Sequence, residues 1–247
     1  MTMRKRAVLL MIFLTKLLMV SADPAEGQTL SDYIWERTVE HQQQALNSNM
    51  IFGVSEGCLS PADFGSYMID DSVYSYEIAK SLEIAIKRCD KDPTLQKFLR
   101  DEAELWDSSW RWLHDVWHIK HPHGINLGQE AANYMNHLRQ VAETEDPAYL
   151  VIALTPGVKL WSWIGKQIGS KKRDFGVYTE WVEQTLDPDC KDSLKYDEYT
   201  EWAYQAGEVT AEKALEVFSA SMKSEVDFFN SVTRCQPRVQ RDGSDKC

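Results

Sequence analysis

The chain has 247 residues, with 27 basic and 38 acidic side chains and a formal net charge of −11 at pH 7. This length is enough for one large domain with a substantial hydrophobic core. The negative charge repels nucleic acid and anionic membrane surfaces, so we expect neither as a partner.

The first 22 residues have the pattern of a secretory signal. Basic residues at positions 4–6 precede an apolar run that only Lys16 interrupts, and small residues follow at positions 20–22. This order is typical of a signal peptide that is cleaved after about Ala22, and the run is too short for a membrane anchor. Cleavage removes four basic residues and no acidic ones, so the net charge becomes −15. We therefore expect a secreted protein.

Five cysteines remain in the mature chain: Cys58, Cys89, Cys190, Cys235 and Cys247. An oxidising compartment favours one or two disulfides among them. Because five is an odd number, at least one thiol is free or bonded to another chain. Cys247, in the polar tail, is the candidate for this role. The sequence leaves the pairing open.

After the signal, nearly every segment has helical periodicity. Ser60 before Pro61, and Asp92 before Pro93, have the order of a capping residue followed by a proline at the first helical position. We predict helices at residues 29–48, 61–88, 93–118, 128–143, 147–168, 175–186, 193–206 and 210–234. No alternating strand pattern, phosphate-binding glycine loop or internal repeat is present.

These elements predict an all-α fold: a single helical bundle of about eight helices over residues 23–235, followed by a polar tail at 236–247. The helix at 147–168 is apolar nearly all round, so we expect it in the centre of the bundle. Pro156 and Gly157 in its middle predict a kink.

Two acidic side chains interrupt apolar helix faces. Asp71 lies within an apolar stripe of the second predicted helix, with Tyr74 at the edge of that stripe one turn later. Glu225 lies on an apolar stripe of the last helix, one turn before Phe229, and Tyr134 lies on a similar stripe between them. A carboxylate in a core is costly unless it has a partner or keeps its proton. Taken alone, Asp71 also fits a structural role as a cap or bridge to a neighbouring helix.

Two inward acids with inward tyrosines predict a pocket more strongly than either acid alone. Acids that share a low-dielectric cavity can share a proton, and their pKa values then separate. Such a pair can hold a nitrogen heterocycle by its ring nitrogen and exocyclic amine, or act as general acid and base.

Other chemistries find less support in the sequence. A di-iron bundle needs about four carboxylates and two histidines, and the nearest match is the single pair Asp115 and His118. His114 and His118 share a helix face at a spacing that can bind zinc, but without a third ligand we interpret them as a solvated helix end. No nucleophile-elbow signature of a hydrolase is present. We therefore expect no metal and no cofactor.

Tryptophans recur at helical spacing on the predicted helix 93–118. One of its faces consists of Trp106, Trp110, Leu113 and Trp117. We assign this stripe to core packing, because such stripes are more often core than cofactor site.

Three segments, in order, match the motifs of one family. The first carries Phe-x-x-Tyr, then an aspartate, then an aromatic residue three positions on: Phe64, Tyr67, Asp71 and Tyr74. The second is AANYMNHL followed by YLVIALTPGVKLW, and the third is YTEWVEQ followed by SMKSEVDFF. Together they resemble the TenA/thiaminase II family over roughly residues 30–232. This resemblance implies the heme-oxygenase-like helical fold.

The resemblance also implies an activity. In that family the site cleaves thiamin or removes the amine from degraded aminopyrimidines. Asp71 and Glu225 would then grip the pyrimidine and move protons, as catalytic residues. Four aromatic side chains would bind the substrate: Tyr74, Tyr134, Tyr67 and Trp161. The implied partner is a small heterocyclic ligand, and assembly into a homo-oligomer is possible.

The chain departs from the family pattern at three positions. Gly157 stands where the family usually has its nucleophilic cysteine, after the proline of the signature. Trp161 replaces the later tyrosine of that signature, and Thr185 replaces a further active-site tyrosine. Covalent catalysis through a thiolate is therefore not expected. Some family members lack this cysteine and are thought to use acidic residues with water.

Two hypotheses follow. The first is an enzyme that hydrolyses a C–N bond of a thiamin-related aminopyrimidine or a similar heterocycle by acid/base chemistry. The alternative is a non-catalytic secreted protein that keeps the pocket for binding, or keeps only the scaffold.

Overall fold

A computed structural model describes residues 23–89 and 92–236, and these residues form ten α-helices and no strand. The helices are α1 Leu30–Arg37, α2 Val39–Leu46, α3 Asn49–Ser55, α4 Pro61–Arg88, α5 Pro93–Val116, α6 Gln129–Thr144, α7 Pro147–Ile168, α8 Thr179–Thr185, α9 Leu194–Gln205 and α10 Ala211–Phe229. Short 3-10 helices at Pro122–Gly124 and Gly176–Tyr178 join α5 to α6 and α7 to α8. The predicted all-α fold is confirmed. The signal sequence and Cys247 lie outside the described residues.

The helix starts follow the capping residues of the sequence. The Ser60 hydroxyl accepts a hydrogen bond from the Asp63 N–H at 3.0 Å. The Asp92 carboxylate accepts bonds from the N–H groups of Thr94 and Leu95 at 2.8 and 3.1 Å. Each cap satisfies N–H groups that have no partner within the first helical turn.

Two local interactions account for the difference between eight predicted and ten observed helices. The first predicted helix breaks at Thr38, whose side chain donates back to the carbonyl oxygens of Ile34 and Trp35, both at 3.0 Å. Such side-chain bonds compete with the helical pattern. The short helix α3 was missed altogether, although Ser48 caps it in the ordinary way.

Helix α7 lies in the centre of the bundle, as predicted: every residue from 147 to 156 is buried. Helix α4 packs against α5 and α6, and α10 packs against α6 and α7. Helix α7 continues through Pro156, and the bend there stays a prediction. No helix in residues 23–89 and 92–236 is long and apolar enough to cross a membrane.

The tryptophan face of α5 is only partly core. Trp106 packs against the hydrophobic core, but Trp117 is 37% exposed. The assignment to core packing therefore holds for Trp106 and for the buried Leu113 and is wrong for Trp117, which lies just past the last residue of α5. His114 also differs from its prediction as part of a solvated helix end, since it is buried beside Trp110 with ring centroids 5.2 Å apart.

A disulfide joins Cys58, before α4, to Cys235, after α10. The two cysteines are 177 positions apart in the sequence. Closing a loop of this length removes entropy from the unfolded chain worth about 5 kcal/mol in the chain-entropy model. Cys89 and Cys190 are not disulfide-bonded.

Gly165 allows the end of α8 to approach α7 closely. A Cβ atom at this position would lie only 1.9 Å from the carbonyl oxygen of Leu186. Both atoms belong to backbone-fixed positions, so a side-chain rotation cannot relieve this contact. The residue therefore sets the position of α8.

We expect Gly165→Ala to lower the free energy of unfolding by about 3 kcal/mol, because the backbone at Leu186 must move and the core is overpacked. Denaturant unfolding followed by circular dichroism measures this change. Gly124→Ala is the matched control, since a Cβ atom there has nothing within 4 Å. Equal stability of the two variants would contradict the close approach.

Candidate functional site

A cleft opens beside Gly157 of α7 and has two adjoining arms. The first, here called the aromatic arm, has a volume of about 230 Å³. It is lined by residues that include Asp71, Tyr74, Trp106, Trp112, Trp161 and Trp181. The second, the polar arm, has a volume of about 340 Å³ and is lined by residues that include Glu102, Trp106, Cys190, Asp192, Lys195 and Tyr196. Both arms share Trp106, Gly157, Trp161, Gln184 and Thr185.

Asp71 is half-buried in the wall of the aromatic arm. Burial, and to a smaller extent the neighbouring charge of Asp70, raise the pKa of its carboxyl to about 7. Asp70 itself accepts a hydrogen bond from the Gly128 N–H at 3.2 Å, which ties α4 to the start of α6. Asp71 is therefore poised to gain or lose a proton near neutral pH.

Glu225 is the more deeply buried acid, with only 3% of its surface exposed. Its Oε1 atom accepts a hydrogen bond from the Tyr134 hydroxyl at 2.8 Å. Burial raises the pKa of Glu225, the bond from Tyr134 opposes this shift and the negative charge of Asp71 adds to it, which together give a pKa of about 8. The two acids therefore interact, and their titrations are coupled.

Three buried tyrosines surround these acids. The rings of Tyr74 and Tyr134 lie 4.8 Å apart, and Tyr67 stacks on Phe228 at 4.6 Å. The Tyr74 hydroxyl lies near that of Tyr134 without hydrogen-bond geometry, and among the described residues neither Tyr67 nor Tyr74 has a hydrogen-bond partner for its hydroxyl. Burial raises the pKa of all three phenols, so they stay protonated and can donate.

Gly157 lies where the two acids and the tyrosines meet. A Cβ atom on this residue would be 2.9 Å from Oε1 of Glu225 and 3.0 Å from the hydroxyl oxygen of Tyr74. The side chains of Glu225 and Tyr74 thus already occupy the space in front of the glycine. Trp161 and Thr185, the other two departures from the family pattern, also line both arms of the cleft.

The polar arm contains a third buried acid that sequence reasoning missed. Glu102 is 2% exposed, and it accepts a hydrogen bond from the Tyr196 hydroxyl and pairs with the Lys195 ammonium group. The sequence contains a sign of its inward direction, because Glu102 lies on the apolar stripe of Leu99 and Trp106 on α5. Lys195 and Tyr196 lie in the first turn of α9 and gave no such signal.

Cys190 lines the polar arm. Nothing in the sequence places a cysteine near the site, so this position is a finding of the structure. Desolvation raises the pKa of its thiol. A thiol with a raised pKa stays protonated at neutral pH and is a poor nucleophile.

The structure gives no metal site within the described residues: no group of three or more histidine, cysteine or carboxylate side chains there could hold an ion. His114 and His118 in particular gain no third ligand. Both ring nitrogens of His114 are buried without a hydrogen-bond partner in the described part of the chain.

The predicted site residues thus fall into two groups that are in contact. Asp71, Tyr74 and Trp161 lie in the wall of the aromatic arm. Tyr67, Tyr134 and Glu225 are almost fully buried. Helices α4, α6, α7 and α10 bring them together from positions up to 158 residues apart in the sequence. This arrangement can hold a planar ring against aromatic walls and exchange protons with it.

Comparisons with known proteins identify the family and the fold of the chain. The model of the TENA/THI-4/PQQC family matches residues 25–235. No curated protein shows a significant sequence match.

Several solved structures share the fold at low sequence identity. A TenA homologue from Pyrococcus furiosus has 15% identity and a TM-score of 0.66, covering 82% of this chain and 98% of that one. A TenA homologue from P. horikoshii has 14% identity and a TM-score of 0.64, covering 81% and 96%. A TenA homolog from Pseudomonas syringae has 11% identity and a TM-score of 0.60, covering 87% and 96%. The expected heme-oxygenase-like helical fold is therefore confirmed, and the chain belongs to the TENA/THI-4/PQQC family.

Proposed function

We propose that the cleft binds a thiamin-related aminopyrimidine and hydrolyses a C–N bond of it without a cysteine nucleophile. Family membership supports a thiamin-related function and a small-molecule ligand. The observation that carries the finer proposal is the pair of carboxyls with raised pKa values, Asp71 and Glu225, next to three protonated tyrosines. Carboxyls whose pKa values are raised by burial and by a neighbouring acid cluster at functional sites, which supports this proposal.

The two carboxyls suit different roles because their surroundings differ. Asp71 ionises first and faces the aromatic arm, so its carboxylate accepts hydrogen bonds from a ring N–H or an exocyclic amine. Glu225 stays protonated at neutral pH and can deliver its proton to the leaving nitrogen. Water then bonds to the carbon that the nitrogen leaves, and its surplus proton returns to the Glu225 carboxylate. The hydroxyl of Tyr134 orients that carboxylate.

The space around Gly157 favours this mechanism over covalent catalysis. The chain has no side chain at that position, and a cysteine there would fit only if the ends of the Glu225 and Tyr74 side chains moved. Among the described residues that line the cleft, Cys190 supplies the only thiol, and its pKa is raised. Acid/base chemistry through water is therefore the better match to the described side chains.

The alternative function is ligand binding without turnover. It is favoured by the 3% exposure of Glu225, since a catalytic acid must reach its substrate. It is also favoured by Trp161 and Thr185 at positions where the family resemblance implies tyrosines. Incubation of the protein with thiamin and with aminomethylpyrimidines separates the two: product formation supports the enzyme, and a raised melting temperature without product supports the binding protein.

For the enzyme, we expect Glu225→Gln to lower kcat by about 10²- to 10⁴-fold, because the amide cannot transfer a proton. Asp71→Asn should lower kcat/KM by about 10- to 100-fold through loss of a charged hydrogen-bond acceptor. Steady-state kinetics on an aminomethylpyrimidine measure both changes.

The matched control is Glu216→Gln, the same substitution at an exposed position of α10. It should leave both kinetic constants unchanged. Cys190→Ser decides between the acid and the thiol: if this variant lost activity as Glu225→Gln does, acid/base catalysis by Glu225 would be wrong.

We expect a bell-shaped pH profile of kcat/KM with its maximum between about 7 and 8. The acidic limb comes from protonation of Asp71, whose pKa is raised to about 7, and the alkaline limb from ionisation of Glu225, whose pKa is raised to about 8. Because the two groups interact, the limbs report the pair. Glu225→Gln should remove the alkaline limb from the residual activity.

The raised pKa of Glu225 can also be tested without a substrate, through its effect on stability. Between pH 4.5 and about 8 the folded protein keeps the Glu225 proton, which the unfolded chain has lost. The folded state then binds more protons, so the free energy of unfolding falls as the pH rises through this window. Denaturant midpoints should be higher at pH 6.5 than at pH 8.5, and Glu225→Gln should reduce this difference. A midpoint that rises with pH would contradict a protonated Glu225.

We also propose that the protein is secreted. The signal pattern of residues 1–22 and the disulfide between Cys58 and Cys235 support this proposal, because disulfides persist in oxidising compartments. Expression of the full chain in a secreting cell should release the protein into the culture medium, with its N-terminus near Asp23. Retention of the uncleaved chain inside the cell would contradict the proposal.

A further inference from the structure

A second groove adjoins the loop that joins α8 to α9. Its volume is about 510 Å³, and we call it the lysine groove. The residues that line it include Trp35, Lys159, Trp163, Lys166, Lys191 and Ser193. Among the described residues, Cys190 alone lines both this groove and the cleft. The lysine groove is therefore distinct from the candidate active site, and the proposed function makes no use of it.

Two segments that are distant in the sequence form the walls of the groove. One face of α7 supplies the first wall, with side chains at the helical spacing i, i+3, i+4 and i+7: Lys159, Ser162, Trp163 and Lys166. The loop 188–193 and the first residue of α9 supply the second. The ring of Trp35, from α1, meets that of Trp163 at 76° with centroids 6.2 Å apart. The groove thus has aromatic surface as well as charged side chains.

The acidic side chains of the groove already have cationic partners. Asp197 holds the Lys159 ammonium group, whose nitrogen lies 2.9 and 2.8 Å from the two carboxylate oxygens. Asp189 pairs with Lys171 at 3.1 Å. No other acidic residue of the described chain lines the groove. The negative charge at this place is therefore neutralised.

Two lysines of the groove are left over. Within the described residues, neither Lys166 nor Lys191 forms an ion pair or donates a side-chain hydrogen bond. They belong to a basic region of an acidic protein: residues 156–173 contain five basic side chains and no acidic one, although the chain has a formal net charge of −11. The groove therefore offers two ammonium groups to an anion.

Ser193 adds a buried hydroxyl that has no partner. The residue is only 9% exposed, and its side chain makes no hydrogen bond to any described residue. Ser193 occupies the N-cap position of α9, but its hydroxyl caps none of the N–H groups there. A buried polar group without a partner costs free energy, and a ligand oxygen that accepts its hydrogen bond removes that cost. The start of α9 also carries partial positive charge.

We propose that the lysine groove binds a monoester of phosphate or sulfate, in which the ionised oxyanion is joined to a small planar group. Lys166 and Lys191 neutralise the oxyanion, and the Ser193 hydroxyl donates to one of its oxygens. The planar group packs against the rings of Trp35 and Trp163. A groove of about 510 Å³ far exceeds the size of a free phosphate ion, which favours an ester over the inorganic anion. This inference goes beyond the proposed function and is independent of turnover in the cleft.

The first test compares four probes by calorimetric titration of the disulfide-bonded protein at pH 8: phenyl phosphate, phenyl sulfate, phenol and inorganic phosphate. We expect phenyl phosphate to bind at least about tenfold more tightly than phenol, which lacks the charge, and than inorganic phosphate, which lacks the ring. High salt should weaken this binding, because it screens exposed ammonium groups. Equal binding of phenyl sulfate would admit sulfate esters, and a preference for phenyl phosphate would restrict the ligand to phosphate esters. Failure of both esters to bind would overturn the proposal.

The second test uses variants of the groove. Lys166→Ala and Lys191→Ala should each weaken phenyl phosphate binding by about 3- to 30-fold, because each removes a charged hydrogen bond. Ser193→Ala should weaken it by about 3- to 10-fold and leave the melting temperature unchanged, since this hydroxyl caps no helix. Lys172→Ala is the matched control, because Lys172 belongs to the same basic stretch but does not line the groove. Equal loss in Lys172→Ala and Lys166→Ala would show unspecific attraction and contradict a built site.

The third test locates the bound probe. The thiol of Cys190 is exposed and lines the groove, so saturating phenyl phosphate should slow its alkylation by N-ethylmaleimide, measured by peptide mass mapping. Because Cys190 also lines the cleft, the same titration is repeated with Asp71→Asn, which alters the cleft alone. We expect the same affinity for phenyl phosphate as in the unchanged protein. An affinity that differs in Asp71→Asn, or a thiol that stays unprotected, would place the probe elsewhere and refute the lysine groove as its site.

Discussion

The cleft depends on the burial of the Glu225 carboxyl inside a helical bundle. An ionised carboxylate in such surroundings costs several kcal/mol, and one hydrogen bond from Tyr134 does not offset that cost. The molecule therefore keeps the proton. The cost of ionisation is smaller for Asp71, because one side of its carboxyl faces the cleft. A difference in depth between two acids of one bundle thus produces two groups that titrate at different pH values.

The fold was predictable from the sequence because its signals are local. Ser60 and Asp92 mark helix starts, and the apolar composition of residues 147–156 marks the central helix. The break at Thr38 was not predictable in the same way, because a threonine in a helical pattern bonds back to the preceding carbonyls only in some contexts.

The site was only partly predictable. Asp71 and Glu225 interrupt apolar stripes, so their inward direction could be inferred from periodicity. The polar arm could not be predicted, since Lys195 and Tyr196 become part of it only when α9 packs beside α5. Trp181 on α8 is similar: its place in the cleft depends on the close approach of α8 to α7 at Gly165, which no pattern in the sequence encodes. Sequence reasoning predicted most of the helices but missed the contacts between distant segments.

The disulfide between Cys58 and Cys235 has a consequence for the integrity of the chain. Helices α4 to α10 all lie between its two cysteines, so most of the bundle forms one covalent ring. A protease that cuts a single surface loop, such as the one around Pro122–Gly124, opens this ring without producing two separate fragments. The cut chain stays one molecule, with its new ends held by packing on both sides. The helices that form the cleft, α4 to α10, can therefore still be cut. A single cut, however, does not release any of them from the molecule.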